Sequence, residues 1–581
     1  MNAVRKLILI AFWATPALAS SQDPQPVKTD STVSVPVDTS IVVSIDTVVV
    51  DMIGMLRASS LMLVTGDAVD QLRSDQLLNG VAPGQSLLLR SASSLTPMKF
   101  SPNRGWALAL IPPHLLAVVN SKIPFSQNNG SLWAGRGLSN RALLGFMFES
   151  AHARLIFAPE VIVSANGDWT LREDYYAPPV PEENSGRGYV LPYYYWTFPI
   201  DQPMRFGKEP IRKFDFGQST ALVSAFGIEA GGSNESQWWG PGMRNAIVLS
   251  NNAPGFPHLF LRTGRPIRTP IGALEVRWLV GGLTESRYFD TLSTNNLRSL
   301  ASFAATVQTA LDPNLTIGLA RSVYARASEW NQIPGRWLHV FANTNRPQPR
   351  PEPPVQDTVL PREGHDQLIS LFGRWVFPND GFELYGEWAR TQLPRSFRDL
   401  LVAPNHTQGY TLGLQWRSRA SRHGFVRLQG EVTQLEQSAT FRDRPIGSWY
   451  TSLPVVQGYT NQGEVIGASI GPGASTQWVA VDYLRQSWRV GAFAGRVRWN
   501  EDVHSTYGFP EYVAYCNHDV TLYPGIRTAV SSAFGTLSVD VSLQNRVNVF
   551  FQNGGGCPNN GRRLDLRNNT LSVAYSPFRW R

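Results

Sequence analysis

The 581-residue chain carries a formal net charge of +8 and only 17% charged residues, with 49 Gly, 41 Pro, 18 Trp and 18 Tyr. A chain of this length holds several domains or one large barrel, and its composition favours many strands joined by turns, with rings of aromatics. The two cysteines form no Cys-x-x-Cys motif and stand near no paired histidines, which excludes a cysteine-based zinc centre. The positive charge favours anionic partners such as acidic glycans, or simply solubility.

Residues 1–19 predict a cleaved secretory signal. A positively charged start is followed by an apolar run over 7–14 and an Ala-x-Ala cleavage motif that ends at Ala19. That run is shorter than the roughly 20 residues that a membrane-spanning helix needs, and no later run is longer. Any crossing of a membrane is therefore expected to be made by a β-barrel.

The next two segments are not expected to form strands of such a barrel. Residues 20–50 are rich in Thr, Val, Ser and Pro and predict a periplasmic linker. Residues 51–104 predict a small, mixed helical region at the periplasmic side. Within it, the apolar spacing over 67–79, with Gly80 at the end, predicts a helix.

From residue 105 to residue 581 the sequence predicts a transmembrane barrel of about 16–18 antiparallel strands. Apolar residues occupy every second position in segments such as 410–417 and 537–544, which is the signal of a strand with two unlike faces. A soluble sandwich has the same local pattern. Export and tryptophans near the strand ends favour the membrane barrel.

The connections between these strands are of two kinds. Tight turns such as 378–381 alternate with long segments such as 325–365, as periplasmic turns alternate with external loops in outer-membrane barrels. If the last strand descends to the periplasm, Cys516 and Cys557 lie in neighbouring external loops. One disulfide between them is the expected use of the two cysteines.

Between Gly227 and Phe289 the chain carries a dense signature. It includes Trp238-Trp239-Gly240-Pro241-Gly242 and a run from Leu249 to His258 that reads Leu-Ser-Asn-Asn-Ala-Pro-Gly-Phe-Pro-His. Other segments, before and after this signature, occur in the same order as in one family. They are Asn128-Asn129-Gly130, Phe214-Asp215-Phe216-Gly217, Arg374-Trp375-Val376-Phe377-Pro378, Arg398-Asp399-Leu400 and Gln457-Gly458-Tyr459-Thr460. Together they resemble the Wzi-like capsule-assembly proteins of the outer membrane.

The resemblance implies a barrel of about eighteen strands with a small helical element at its periplasmic end. It also implies a lectin-like role, in which capsular or related surface polysaccharide is assembled or retained at the cell surface. The implied location is the bacterial outer membrane. The expected partners are surface polysaccharide, outer-membrane lipids with lipopolysaccharide, and capsule-export machinery, with no nucleic acid.

Trp238 and Trp239 have two interpretations. An indole beside the tight Gly-Pro-Gly turn can stack on a sugar ring, with hydrogen bonds supplied by Asn245, Asn251, Asn252 and His258. Alternatively, the segment folds into the lumen and its tryptophans pack the interior. The second interpretation is favoured, because a buried tryptophan usually anchors structure and finds one partner for its N–H group.

The predicted loops and rims supply further candidate glycan contacts. Guanidinium groups suit carboxylates and phosphates, and aromatic rings suit sugar faces. The same arginines can instead hold lipopolysaccharide or pair with loop carboxylates. The candidates are Trp330, Trp337, Trp449, Tyr450, Tyr459, Arg262, Arg395 and Arg398.

No enzyme is expected. Ser469 lies in a Gly-x-Ser-x-Gly match, but no helical pattern follows it, as the nucleophile elbow requires. Glu383 and Glu387 share a strand face about 13 Å apart, beyond the about 5–9.5 Å of glycosidase pairs. No cofactor or metal site is expected. The alternative function is a porin-like channel for sugars or oligosaccharides, which bilayer conductance distinguishes from a plugged lectin.

Overall fold

The computed structural model describes residues 61–96, 105–169, 200–289, 293–342, 364–421, 423–442, 444, 446–506, 518–551 and 565–579. The predicted signal and linker lie outside the described residues. Cys516 and Cys557 do so as well, and their disulfide stays a prediction.

A closed antiparallel barrel of 18 strand positions dominates the described residues. Its strands are β2 (Trp106–Asn120), β3 (Gly137–Ser150), β4 (Ala153–Phe157), β5 (Glu160–Ser164), β6 (Ile211–Asp215), β7 (Thr220–Ala225), β8 (Ile228–Ser233), β10 (His258–Thr263), β11 (Ile267–Thr269), β12 (Gly272–Thr284), β13 (Leu297–Thr309), β14 (Leu315–Arg326), β15 (His365–Phe377), β16 (Phe382–Arg390), β17 (Gln408–Arg417), β18 (Phe425–Gln434), β21 (Ser475–Leu484), β22 (Trp488–Arg498), β23 (Val520–Ser532), β24 (Gly535–Val547) and β25 (Leu566–Ser576).

Three of the positions hold two strands in line, namely β4 with β5, β6 with β7, and β10 with β11. Each position pairs with the next along the chain. The last strand then closes on the first, with Leu115 opposite Tyr575. The predicted fold class, an outer-membrane-type barrel of about 16–18 strands, is thereby confirmed, at the upper end of the range.

The two faces of the barrel wall have the opposite polarity to those of a soluble protein. In β17, Leu412 and Leu414 point outward and are 55% and 43% exposed, while Thr411 and Gln415 point inward and are buried. The predicted alternation over 410–417 is thus confirmed as apolar outside and polar inside. This is the arrangement of a barrel whose outer surface meets lipid.

The two ends of the barrel are unlike. At one end the connections are short, as at 151–152, 378–381 and 533–534. At the other end they are long, as at 435–474 and 499–519. The first strand, β2, begins at the short-turn end, and β25 returns to it. We call the opposite end the loop end.

The lumen is filled by three stretches of the chain itself, residues 61–96, 234–257 and 446–474, which we call the lumenal plug. The first contains helix α1 (Asp67–Asn79), β1 (Leu89–Ser91) and the short helix α2 (Ala92–Leu95). α1 coincides with the predicted helix over 67–79 and lies at the short-turn end, where Gly80 approaches Asn314 and Pro378. No helix of the described residues is long and apolar enough to cross a membrane.

Backbone pairing joins the three parts of the plug. β1 pairs with β9 (Gln237–Trp239), so residues almost 150 positions apart form a small sheet inside the barrel. In the third part, β19 (Thr460–Asn461) and β20 (Glu464–Val465) form a hairpin. It is joined to the second part because Ser250 N–H donates to the carbonyl of Ile466 at 2.9 Å.

Charged side chains tie α1 to the inner wall. The Arg73 Nε donates to Glu383 Oε1 at 2.6 Å, and Arg374 donates to the other oxygen of Glu383 at 2.6 Å. All three side chains are at most 3% exposed. A buried charge needs such partners, since an unpaired one is strongly destabilising. Glu383 is therefore part of the attachment of the plug.

The described part of one long connection packs on the outside of the barrel instead. Residues 327–342, which we call the outer-wall segment, contain two 3-10 helices, Trp330–Gln332 and Pro334–Phe341. Ile333, between the two helices, and Val340, in the second, pack on Val280, whose side chain points outward from β12.

Candidate functional site

The tryptophan pair of the central signature lies inside the plug. Trp238 and Trp239 have 0% exposure. The Trp238 Nε1 donates to the carbonyl of Gly242 at 3.1 Å, and the Arg90 guanidinium lies 4.9 Å from the Trp238 ring. Their placement agrees with the interior-packing interpretation. A direct part in glycan binding stays a prediction for them, and the structure offers no exposed ring face for it.

The turn after the tryptophans explains why the chain can enter the lumen there. Gly240 has φ of 118°, in the region that favours glycine. A Cβ at this position would lie 2.8 Å from the carboxylate of Glu387. Glycine therefore allows the turn to approach the inner wall closely.

The asparagines of the signature fasten parts of the plug to one another. Asn245 Oδ1 accepts from Ser469 Oγ at 3.0 Å, and Asn252 Nδ2 donates to the carbonyl of Val465 at 2.9 Å. Asn251 Nδ2 donates to Thr65 Oγ1 at 2.9 Å. All three asparagines are buried. Ser469, the serine of the Gly-x-Ser-x-Gly match, thus serves as a hydrogen-bonding partner within the plug.

An inner-wall carboxylate holds the same stretch. Glu431 of β18 accepts hydrogen bonds from the backbone N–H groups of Arg244 and Asn245 at 3.1 and 2.8 Å. The Tyr385 hydroxyl donates to it at 2.9 Å. A charged acceptor for several backbone donors is stronger than a neutral one, so Glu431 fixes the path of the plug.

His258 and Arg262 lie on β10 and face inward. His258 is buried, with 4% exposure, and its Nδ1 lies 2.7 Å from the carbonyl oxygen of Phe256. Arg262 donates to Glu229 at 2.7 Å and to Ser93 at 2.9 Å. Both side chains therefore connect the wall with the plug.

The loop aromatics of the third plug stretch are buried too. Trp449, Tyr450 and Tyr459 are at most 2% exposed. The rings of Tyr450 and Tyr459 are stacked, with centroids 6.0 Å apart, and the Tyr450 hydroxyl donates to the carbonyl of Ile247 at 2.9 Å. Long loops predicted to be external here fold into the lumen, because their apolar rings find a core there.

Trp330 and Trp337 lie on the outer-wall segment, away from the mouth of the barrel. Trp330 is 49% exposed and lies against Gly282, where an added Cβ would meet its ring at 2.2 Å. The Trp337 ring packs on Trp278, with centroids 5.5 Å apart and edge to face. Aromatic rings on the outer wall near a strand end are typical of the interfacial girdle of a membrane barrel.

Arg395 and Arg398 are the two predicted contacts that the structure places in exposed positions at the loop end. They belong to the connection between β16 and β17, which contains helix α3 (Phe397–Val402). Ser396 caps this helix, because its hydroxyl accepts from the N–H of Asp399 at 3.1 Å. The sequence signal for the start of this helix is a serine at the N-cap, followed by an acidic residue in the first turn.

Three apolar neighbours of these arginines were not predicted from the sequence. Phe397, Leu401 and Val402 are 74%, 65% and 75% exposed. Phe397 and Leu401, four residues apart, share one side of the short helix, and a single such pair is a weak sequence signal. We call Arg395, Arg398 and these three residues the mouth patch.

Charges around the mouth patch are mainly positive. Arg444 donates to Asp399 Oδ1 at 2.6 Å, which fastens α3 to the connection between β18 and β21. A backbone hydrogen bond from Arg395, with Arg444 close by, lowers the pKa of Asp399. Burial, together with the guanidinium groups of Arg444 and Arg390, lowers the pKa of His406 to about 4. The region therefore has a positive potential that suits an anionic ligand.

Comparison with known proteins gives a structural likeness without a sequence match. No family model matches the chain, and no curated protein sequence matches it. Wzi of Escherichia coli, an outer membrane protein involved in group 1 capsule assembly and a carbohydrate-binding β-barrel, is similar in structure. Its sequence identity is 10% and its TM-score 0.50, over 80% of this chain and 84% of that chain.

Two further solved structures show a weaker likeness. OccK5 (OpdH) of Pseudomonas aeruginosa has 10% identity and a TM-score of 0.35, over 81% of this chain and 97% of that chain. OccAB4 of Acinetobacter baumannii has 9% identity and a TM-score of 0.34, over 82% and 99%. At 10% identity the similarity to Wzi shows the fold alone, a closed barrel of the outer-membrane type, and the chain has that fold.

Proposed function

We propose that this protein is an outer-membrane barrel that binds capsular or related surface polysaccharide at its loop end and helps to assemble or retain it there. The observation that carries the proposal is the contrast between a lumen filled by the chain and a loop end that exposes cationic and apolar side chains. An export signal over residues 1–19 and a position in the bacterial outer membrane belong to the same proposal.

The filled lumen favours binding over conduction. Helix α1 lies within the short-turn end, tied to the wall through Arg73 and Glu383. The second and third plug stretches occupy the space above it and are held by Glu431 and by the Tyr450 hydroxyl. A porin needs a water-filled passage, so these contacts make the channel the less supported alternative.

The mouth patch has the chemistry that an acidic glycan requires. The planar guanidinium groups of Arg395 and Arg398 match the two oxygens of a carboxylate or phosphate. The exposed Phe397 ring beside them offers an apolar face to the C–H surface of a sugar. Lipopolysaccharide phosphates present a similar charge, so lipid headgroups at the rim are a further partner of this proposal.

The similarity in fold to Wzi supports the proposal. Wzi is described as a carbohydrate-binding barrel involved in capsule assembly, and this chain shares its fold. Together with the order of the motifs in the sequence, the shared fold supports a related role. Membership of that family, and a contact with capsule-export machinery, are parts of the proposal.

The test is the partition of surface polysaccharide between cells and medium. A strain lacking the protein is compared with strains that produce the wild type, the double variant Arg395→Ala/Arg398→Ala, or Arg419→Ala. Arg419 is an exposed arginine in a short turn at the opposite end of the barrel and is the matched control. Equal amounts of barrel in the membrane are verified first.

We expect total polymer to stay constant and to move into the medium in the deletion strain and in the double variant. Arg419→Ala is expected to behave as the wild type. An unchanged partition in the deletion strain would overturn the proposed role. Conductance of the purified barrel in planar bilayers would then decide for the channel if stable open currents appear.

A further inference from the structure

Three potential metal ligands meet at the loop end, on the connection between β22 and β23. Glu501 and His504 lie on helix α4 (Glu501–Thr506), and His518 lies two residues before β23. One ligand atom from each residue lies within 4.8 Å of the other two. The cluster is separate from the mouth patch and from the residues proposed above to bind glycan.

The carboxylate stands between the two imidazoles. His518 Nδ1 lies 2.7 Å from Glu501 Oε2, and His504 Nδ1 lies 3.7 Å from Glu501 Oε1. The two imidazole rings are 4.2 Å apart between centroids. Both imidazoles therefore lie beside the same carboxylate, as the ligands of one metal ion must.

The set of donors matches a known ligand type. Two imidazole nitrogens and one carboxylate oxygen are the protein ligands of many zinc sites that keep one further position open. Tetrahedral bonds of about 2.0–2.1 Å place neighbouring donors roughly 3.4 Å apart. Small side-chain rotations bring donors that are already within 4.8 Å to that separation.

The geometry points to a divalent transition-metal site formed by Glu501, His504 and His518, of the Zn²⁺ class. Imidazole with one carboxylate suits Zn²⁺, Co²⁺ or Ni²⁺ better than Ca²⁺ or Mg²⁺, which prefer oxygen ligands. Arg498, whose Nε lies 3.7 Å from Glu501 Oε2, opposes the cation, but the same Nε donates to Glu436 Oε1 at the shorter distance of 2.8 Å.

Bound metal would connect two parts of the loop end. α4 is attached to the plug side, because Asp502 accepts from Gln437 N at 2.7 Å and from Ser448 Oγ at 2.8 Å. His518 is attached to the wall through β23. A metal held by both would therefore fasten the start and the end of this connection to each other and to the plug.

Sequence patterns did not indicate this site. His504 follows Glu501 by three residues on one helix face, whereas His518 comes fourteen residues after His504. The absence of a metal site was inferred from the cysteines and from the lack of paired histidines. The pairing is made by the fold, which returns the chain to the same rim at β23.

The test is a Co²⁺ titration of the tag-free, detergent-solubilised full-length barrel, monitored by visible absorption and followed by competition with Zn²⁺. The variants are His504→Gln, His518→Gln and Glu501→Gln. The control is His152→Gln, which changes an exposed histidine in a short turn at the opposite end. Each variant is checked for the far-ultraviolet circular dichroism and heat-modifiable migration of a folded barrel.

We expect one Co²⁺ per chain with the intense absorption of four-coordinate Co²⁺, displaced by Zn²⁺. Loss of either histidine should weaken binding by more than about 100-fold, since even loss of an outer partner of a ligand costs about 10–100-fold. His152→Gln should bind as the wild type. Equal binding by His504→Gln, His518→Gln and wild type, or six-coordinate spectra in all of them, would overturn the site. Because the readout contains no glycan, it is independent of the proposed function.

Discussion

The lumenal plug and the mouth patch differ both in how unusual their sequences are and in how exposed their side chains are. The plug contains the Trp-Trp pair and the asparagine run, all of them buried and partnered. The mouth patch is a six-residue helix with flanking arginines, exposed at the loop end. The unusual residues of the central signature therefore pack the interior of this barrel, whereas the exposed charged and apolar groups lie on a loop without an unusual motif.

The difference follows from what each region must satisfy. A segment inside a barrel has to provide a partner for every buried backbone and side-chain polar group, which restricts the choice of residues strongly. An exposed loop is hydrated by water and is restricted little. We therefore expect changes in the plug to affect stability, and changes in the mouth patch to affect binding.

The largest effect is expected for Glu383→Ala. This change leaves the buried guanidinium groups of Arg73 and Arg374 without their carboxylate, which costs about 3–5 kcal/mol of unfolding free energy. Urea unfolding of the reconstituted barrel, followed by tryptophan fluorescence, measures it. Asp75→Ala is the control on the same helix. Its carboxylate is 47% exposed and pairs with Arg417, so its removal should cost less than about 1 kcal/mol.

A pH dependence is expected beside the mouth patch. The pKa of His406 is lowered from 6.5 to about 4 in the folded protein, so unfolding takes up a proton between those pH values. Stability should therefore fall as the pH decreases from about 6.5 to 4, by at most about 1.4 kcal/mol per pH unit. Unfolding midpoints measured across this range should vary less in His406→Gln. His423→Gln, at an exposed turn, should keep the wild-type slope.

A smaller effect is expected for Trp238→Phe. The indole N–H that donates to Gly242 is lost, but Arg90 also donates to that carbonyl at 3.3 Å, so about 1–2 kcal/mol should be lost. Polysaccharide binding, measured with purified polymer on reconstituted barrels, should be unchanged. A large loss of binding with intact folding would restore Trp238 as a glycan contact and contradict the division drawn here.

The smallest effect on stability is expected for the double variant Arg395→Ala/Arg398→Ala, within about 0.5 kcal/mol, since both side chains are exposed. Its effect on polysaccharide binding should be larger than its effect on stability. Affinity for an acidic polymer should fall several-fold, and the remaining binding should depend less on salt. Equal salt dependence in variant and wild type would show that the polymer is held elsewhere.

The barrel could be predicted from the sequence because its signal is local. Alternation such as that over 410–417 is set by side chains that point to opposite faces, and α1 was predicted from apolar spacing and Gly80. The path of the long connections could not be predicted in this way. Whether Trp449 points to solvent or to the lumen depends on which wall residues surround it, and that is fixed by strand pairing far along the chain.

Pairing between distant parts of the chain also explains why most of the predicted glycan contacts are buried. The β1–β9 pairing of Arg90 with Trp238 joins residues 148 positions apart, and no window of sequence contains both. The interior-packing interpretation of the tryptophans agreed with the structure because it rested on a general property of buried indoles. The exposure of Phe397 was missed because its helix is short and follows no strong pattern.

The outer-wall segment makes the barrel unequal around its circumference. Over β12 and β13 a neighbouring molecule would meet 3-10 helices with the exposed Leu338 and Phe341, whereas over a strand such as β17 it would meet the strand surface directly. The covered side and the uncovered side of the barrel are therefore different surfaces in the plane of a membrane. Two copies can meet through two covered sides, two uncovered sides or one of each, and lateral packing of this barrel depends on how the copies are oriented.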